Sequence, residues 1–495
     1  MSGYEFIITT DRTMMTNHHG KEFLGFMTTA PAIGLPEMLW MWIAAPKMKV
    51  DKMGRPWQAP YGLRKVEAAL IDAGFKAAVI DPRCISKHLK TAKGIFIGHH
   101  DYFALGPPSS EWWILTKREP VNAKSFKRFM ESRAMREAKK RGVKVVVGGP
   151  AAWQWLWAKE YWERWGVDTV VEGEGEKVAV KLAEAICNGD PLPKYLYVPP
   201  SEAPKLSEIP TIKLPSVNGL IEITRGCPRG CKFCSVTLKP LRHYTLDMIE
   251  RELKVNVKYG IVHGILHSED VLLYGVNNVV PKEEPLFKLH TLVKKYYKTL
   301  AWSHVSLAAV KAAEENGRII SRLSEIIMDE HQDYLGVEVG IETGSPKLAS
   351  KIMPAKSAPY PIEKWPEIVK EAFSIMHENN IVPAATLILG LPGETEDDVI
   401  ATLELLDRLK PYRSLIATMF FVPMGAFKNK EWFKGIEVSD LHKELMVKVF
   451  WHSAYWARDI LNKFYMKEKY YLPVKFLINI FIRYSMRKVR SATTR

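Results

Sequence analysis

The chain has 495 residues, 47% hydrophobic and 25% charged, with a formal charge of +15. That length accommodates two or three domains with large buried cores, and five cysteines are too few for a secreted disulfide framework. The positive charge calls for nucleic acid, anionic headgroups or an acidic protein as partner, or reflects a hot habitat with no partner at all.

The opening Met1-Ser-Gly-Tyr-Glu-Phe6 is strand-like and has no basic n-region, so no secretory signal is expected. Its most apolar runs, around Met38–Ala45 and Phe476–Ile482, fall short of the ~18 residues a membrane span needs. Tyr61–Ala73 has the spacing of an amphipathic helix ended by Gly74, and Phe75–Asp81 reads as the strand after it. A strand at Gly94–Gly98 and a basic helix over Ser125–Arg141 come next. Strands at Lys144–Val147 and Thr169–Val171 run into Gly148-Gly149-Pro150 and Glu172-Gly-Glu-Gly-Glu176. Apolar strands ending in glycine turns and followed by helices predict an α/β, doubly wound parallel sheet over residues 1–190. Its ligand side lies beyond the strands' carboxyl ends.

Seven prolines between Pro191 and Pro215 mark 191–218 as a linker. Over 219–425 the strand candidates are Leu220–Thr224, Val262–Leu266, Trp302–Leu307, Leu335–Ile341, Ala385–Leu389 and Leu415–Phe421. The clearest helices between them are Pro366–Glu378 and Glu396–Leu409. Residues 426–495 read as a helical extension. Over 473–490, Lys475, Asn479, Arg483, Arg487 and Arg490 share one helical face, with Val474, Leu477, Ile478 and Phe481 opposite. Such a helix either packs on the domain before it or lies at a membrane interface.

The most informative run is Cys227-Pro-Arg-Gly-Cys231-Lys-Phe-Cys234, directly after a β-branched strand. Three thiolates on one loop can ligate three irons of a [4Fe–4S] cubane and leave the fourth iron open. Zinc would call for a fourth Cys or His at matching spacing, and a disulfide would strand the third thiol. Cys84 and Cys187 stand alone and read as buried thiols. A solvent-reachable cluster implies a reducing, anaerobic cytoplasm.

This loop and its strand resemble the signature of the radical S-adenosylmethionine (SAM) enzymes, and six βα repeats resemble their partial (β/α)6 barrel. The resemblance implies SAM on the open iron, one-electron cleavage to a 5′-deoxyadenosyl radical, and hydrogen abstraction from substrate. An electron donor such as ferredoxin or flavodoxin is then required. Phe233 takes the place of the aromatic that packs beside adenine or shields the cluster. Glu269 and Asp270, after the second strand, occupy the place of the acidic motif for the SAM amino group.

Gly340-Ile-Glu342-Thr-Gly-Ser345 resembles a segment of radical SAM enzymes that carry a cobalamin domain, with Glu342 toward the SAM side. Thr386-Leu-Ile-Leu-Gly390-Leu-Pro-Gly393-Glu394 resembles the adenine-binding fifth-strand motif. Its glycines permit close backbone approach, while Glu394 is either an adenine-side contact or a helix-start residue.

Gly148, Gly149 and Glu174 lie in segments that resemble the cobalamin-binding domain ahead of such barrels. The expected D-x-H-x-x-G loop is absent. His99 or His100 could approach the cobalt, or the lower face has no protein ligand, or cobalamin has been lost. No G-x-G-x-x-G opens a helix, against ordinary dinucleotide binding. Tryptophans at 40, 42, 112, 113, 153, 155, 157, 162 and 165 suit core packing, a greasy channel or an interfacial surface. No nucleic-acid module is visible.

The layout resembles the archaeal group with tetraether-lipid ring synthases. That implies carbon–carbon bond formation at unactivated sp3 carbons of membrane lipids, by a cytoplasmic protein peripheral on the inner face of the membrane. The alternative is cobalamin-dependent C-methylation of a protein or small molecule. A methylthiolase would need a second cysteine set, and a non-catalytic cobalamin-binding module would have no use for an open cluster.

Overall fold

The computed structural model describes residues 3–428 and 438–466, and within 472–483 Leu472, Lys475, Phe476, Asn479, Ile480, Ile482 and Arg483. The chain folds as two compact units, Met1–Ile221 with Tyr244–Gly264, and Glu222–His243 with Ile265–Arg495.

In the first unit, β1 (Phe6–Thr9) leads through a long excursion containing α1 (Glu37–Ala44) to α2 (Tyr61–Asp72) and β2 (Ala77–Val79). Then come β3 (Gly94–Gly98), α3 (Ser109–Thr116), α4 (Val121–Met130), α5 (Arg133–Lys140) and β4 (Lys144–Gly148). The series ends with α6 (Glu160–Trp165), β5 (Thr169–Glu172), α7 (Glu176–Asn188) and β6 (Tyr195–Tyr197). The strands pair in the order β2-β1-β3-β4-β5-β6, all parallel. Near-continuous apolar strands such as Phe6-Ile7-Ile8 are buried because helices cover both faces of a parallel sheet.

The chain order then brings β7 (Leu220–Glu222), the short antiparallel pair β8 (Thr224–Arg225) and β9 (Arg242–His243), and α8 (Leu246–Lys258). The helix α8 belongs to the first unit. Its Glu252 is buried against Lys65 of α2 at 2.5 Å and accepts from Tyr61 Oη at 2.7 Å, while Asn256 Oδ1 accepts from Ser216 N at 3.1 Å.

The remaining repeats are β10 (His263–His267), α9 (Glu283–Lys294), β11 (Thr299–Trp302), α10 (Leu307–Glu315), α11 (Ile319–Ile327) and β12 (Leu335–Glu342). They continue with α12 (Pro346–Ile352), α13 (Trp365–Glu378), β13 (Ile381–Leu389), α14 (Glu396–Leu409), β14 (Leu415–Phe420) and α15 (Asp440–Ile460). Strands order as β7-β10-β11 and β12-β13-β14, and a parallel bridge from His304 to Glu338 joins the two sets. The fold is α/β with parallel sheets, including a partial (β/α)6 barrel.

Several expectations are corrected. The basic helix over 125–141 is two helices, because Ser132 stops the first and its hydroxyl caps the second through Met135 N. The strand expected at Trp302–Leu307 lies earlier, at Thr299–Trp302, because Ser306 caps α10 through Ala309 N. Cys187 is exposed rather than buried. Trp155 and Trp165 pack with Tyr102, Phe103 and Phe126 in the first unit's core rather than lining a channel. Of the basic face predicted over 473–490, Arg487 and Arg490 lie outside the described residues, as does the whole of the opposite face, Val474, Leu477, Ile478 and Phe481.

Candidate active site

The cysteine loop leaves β8 through Gly226, whose φ is +88° and where a Cβ would stand 2.6 Å from the Pro240 carbonyl. Only glycine fits there. Cys231 is buried, while Cys227 and Cys234 are half-buried. The loop is tied to the segment after α12. Lys232 N donates to Ile352 O at 2.9 Å, and Arg229 Nη1 donates to the carbonyls of Lys356 and Ala358 at 3.0 and 2.9 Å.

Burial raises all three thiols, Cys227 to about 12, while the Arg229 cation works against the rise at Cys227 and Cys231. A cluster that binds thiolates must therefore displace these protons. Among the described residues no three His, Cys, Asp or Glu side chains converge tightly enough for one metal ion. A cubane spreads its thiolates over separate irons, so its cysteines need not converge.

Arg229 and Asp270 face each other behind the loop, both side chains 3% exposed, with Nε 3.5 Å from Oδ2. Arg229 Nε and Nη2 and Asp270 Oδ1 have no hydrogen-bond partner. Asp270 Oδ2 also accepts from Ser306 Oγ at 2.5 Å, and burial raises its carboxyl despite Arg229. Asp270 thus braces the cysteine loop. Glu269 is half-buried, and its charge is felt by both Cys234 and His304.

The strand β12 breaks register between Gly340 and Glu342, a β-bulge that leaves Glu342 with φ +64°. Its buried carboxylate pairs with Lys356 Nζ at 2.6 Å and accepts from Thr386 Oγ1 at 3.1 Å. A Cβ on residue 340 would collide with both charged groups. Burial alone would lower the Lys356 ammonium, but Glu342, Cys231 and Cys234 raise it. Lys356 Nζ also lies 5.8 Å from the Phe233 ring centroid. Lys356 escaped sequence reading because it follows α12 in irregular chain, where no periodicity links it to Glu342. Arg229 stood inside the cysteine motif and was legible as a buried-cation candidate only once Asp270 was placed behind it.

The rest of Gly340–Ser345 is structural. Ser345 caps α12 and donates to Asp398 at 2.5 Å, and the Gly344 amide donates to Thr402 Oγ1 at 2.9 Å. Gly390 and Gly393 have φ of +74° and +82°, and a Cβ on Gly393 would meet nothing within 4 Å. Glu394 accepts from Gly390 N at 2.8 Å and from His442 Nε2 at 2.9 Å, so it closes this turn. Helix α14 itself starts with Thr395 and its reciprocal partner Asp398.

In the first unit His99 is buried. Its Nε2 donates to Asp11 Oδ1 at 2.9 Å and its Nδ1 accepts from Asp101 N at 2.8 Å. Both ring nitrogens are thereby occupied. His100 is exposed, and Glu174 is half-buried on the loop after β5. Gly149 has φ +90°, and a Cβ there would press to 3.1 Å on the His99 carbonyl, so its glycine serves its own fold. At Gly148 a Cβ would meet only ordinary contacts from 3.5 Å. A cavity of about 310 Å³ beside the carboxyl end of β1 is lined by Arg12, Glu37, Met38, Met41, Ser125 and Arg128.

Residues 221–406 match the Radical SAM superfamily. An uncharacterised protein of Methanopyrus kandleri is 28% identical over 196 residues, covering 38% of this chain and 34% of that protein. The ribosomal protein uS12 methylthiotransferase RimO of Thermotoga maritima is 29% identical over 182 residues, 36% of this chain and 38% of RimO. The chain thus spans little more than a third of the length of these curated relatives. Among solved structures, the radical SAM methyltransferase TsrM of Kitasatospora setae, with cobalamin and a [4Fe–4S] cluster bound, has a TM-score of 0.52 at 14% identity. That match covers 88% of this chain and 75% of TsrM.

Proposed function

We propose that this is a radical SAM enzyme whose Cys227, Cys231 and Cys234 hold a [4Fe–4S] cluster, and that it is a cobalamin-dependent C-methyltransferase acting on an unactivated sp3 carbon. One observation carries this reading: a β2-β1-β3-β4-β5 parallel sheet with a glycine-rich carboxyl edge and a CxxxCxxC barrel occur in one chain, the layout of a methyltransferase fold. The methylthiotransferase relatives align over less than half of their length, and no second cysteine set in this chain matches an auxiliary cluster. Formation of rings in tetraether lipids, the other candidate, has less support than methylation, because the structural likeness is to a methyltransferase.

The residues fit the implied groups. When bound, the cluster supplies the electron that cleaves SAM, and cobalamin supplies a methyl carrier. Glu269 offers an anionic acceptor for the SAM ammonium beside Cys234, Gly393 leaves backbone approachable for adenine while Gly390 is held by Glu394, and Phe233 stands within the cysteine loop. Lys356 and Glu342 place a compensated cation beside two of the thiolates. Gly148 marks the open part of the sheet edge for cobalamin, where both ring nitrogens of His99 are already hydrogen-bonded within the protein. A ferredoxin- or flavodoxin-type donor supplies electrons.

Mass spectrometry of lipids, peptides and small molecules from a host with and without the gene tests the reading. Products heavier by CH₂ units are expected. Lipids lighter by pairs of hydrogens would overturn it in favour of ring formation.

A further inference from the structure

The excursion between β1 and α2 exposes an unusual amount of apolar surface. Phe23, Phe26, Leu35, Met38, Leu39 and Trp42 are all exposed, Met38 at 85% and Trp42 at 64%. They come from a 3₁₀ segment, Glu22–Thr29, from α1 and from the turn between them, which pack on each other and on α4. Trp40 Nε1 donates to Met27 O at 2.8 Å, and Val121 N donates to Ala30 O at 3.1 Å, so the excursion has a fixed shape. Contiguous exposed apolar surface of this kind marks an interaction site.

The charge pattern selects the partner. Within residues 22–44 the only charged side chains are Glu22 and Glu37. Glu37 is held by Arg128 and Lys124, and Glu22 accepts from Asn218, so both carboxylates are bound within the protein. Lys21 stands before the stretch, and exposed Lys47, Lys49 and Lys52 stand after it. Apolar side chains flanked by lysines, with both acids engaged by the protein's own side chains, complement an anionic headgroup layer over hydrocarbon. An exposed tryptophan at the edge is the residue that prefers this boundary. The eight-residue α1 is far too short to cross, since a span takes ~20 residues. Among the described residues no helix is long and apolar enough to do so.

We infer that the excursion over residues 22–44 is a monotopic docking surface for an anionic lipid bilayer. It stands on exposure and charge, independently of the reaction proposed above.

The full chain is floated with vesicles of phosphatidylcholine alone and of phosphatidylcholine mixed with phosphatidylglycerol, without turnover. Binding is expected to the mixed vesicles and to fall with added salt. The Met38→Ser/Trp42→Ser variant should lose roughly tenfold or more in affinity. Both side chains are exposed, so folding is retained and checked by circular dichroism. A Lys47→Glu/Lys49→Glu variant should lose the preference for anionic vesicles. No flotation, or flotation unchanged in Met38→Ser/Trp42→Ser, would overturn the inference. A dimer that forms in solution and dissociates in that variant would instead assign the surface to a second copy of the chain.

Discussion

At the carboxyl edge of the first sheet, Asp11, His99 and Asp101 spend their polar atoms on one another and on Thr13, Gly106, Gln154 and Asn122. Behind the cysteine loop, Arg229 and Asp270 leave three polar atoms without hydrogen-bond partners. Both places lie where α/β folds keep their ligands, and both are built from buried charge. The first is a completed network that fixes a loop. Buried atoms of the second retain unmet hydrogen-bonding capacity, as expected beside a site whose occupant completes it.

The sharpest break is Cys231→Ala. It should abolish the cluster's visible absorption and all 5′-deoxyadenosine formation from SAM while the far-ultraviolet dichroism of the first unit persists. Surviving 5′-deoxyadenosine would remove the barrel mouth as the reactive place. Next, Arg229→Met leaves Asp270 buried and uncompensated, and should cost about 4 kcal/mol in a denaturant titration. Adding Asp270→Asn should recover part of the loss. A neutral single variant would show the pair to be idle.

His290 in the second unit offers a match for His99. Its Nδ1 donates to Leu286 O and its Nε2 accepts from Trp302 Nε1, and burial pushes it down to about 4. Between pH 4 and 6.5 the unfolded chain binds the extra proton, so stability should fall as pH drops through that window, by about 3 kcal/mol. His290→Gln should flatten this limb of the pH–stability curve, and an unchanged limb would assign it to other groups. His99→Ala strands Asp11 and should cost about 2 kcal/mol, with bound cobalamin retained through gel filtration. Loss of the cobalamin absorption in a folded variant would make His99 a ligand after all. Smallest, Asp398→Ala removes the reciprocal cap of α14 and the acceptor for Ser345, for about 1.5 kcal/mol of thermal stability.

Local features were legible in the sequence and contacts between distant residues were not. Helix α14 begins and ends where its apolar period and acidic first turn place it, and the cysteine loop declares itself by spacing. Lys356 meets Glu342 only because a bulge turns the end of β12, which no alternation pattern reveals. Arg229 and Asp270, and likewise His99 and Asp11, are brought together by strands far apart in sequence. An isolated histidine after an apolar strand therefore reads as a possible ligand until its partner is seen. Ser132 and Ser306 each displaced an expected boundary because a single side-chain cap outweighs a continuous periodic signal.

The membership of α8 in the first unit bears on how such a protein can be inherited. A proline-rich stretch usually marks a seam at which genes are cut and recombined. Here a cut at 218/219 would separate Lys65 from Glu252 and Ser216 from Asn256, leaving buried charge and amide groups unmatched on both fragments. Exchange of the front domain for a homologous one succeeds only if α2 and α8 travel together. The two halves are thus bound to descend as a pair, and a shuffled gene would carry its penalty in folding before any chemistry is tested.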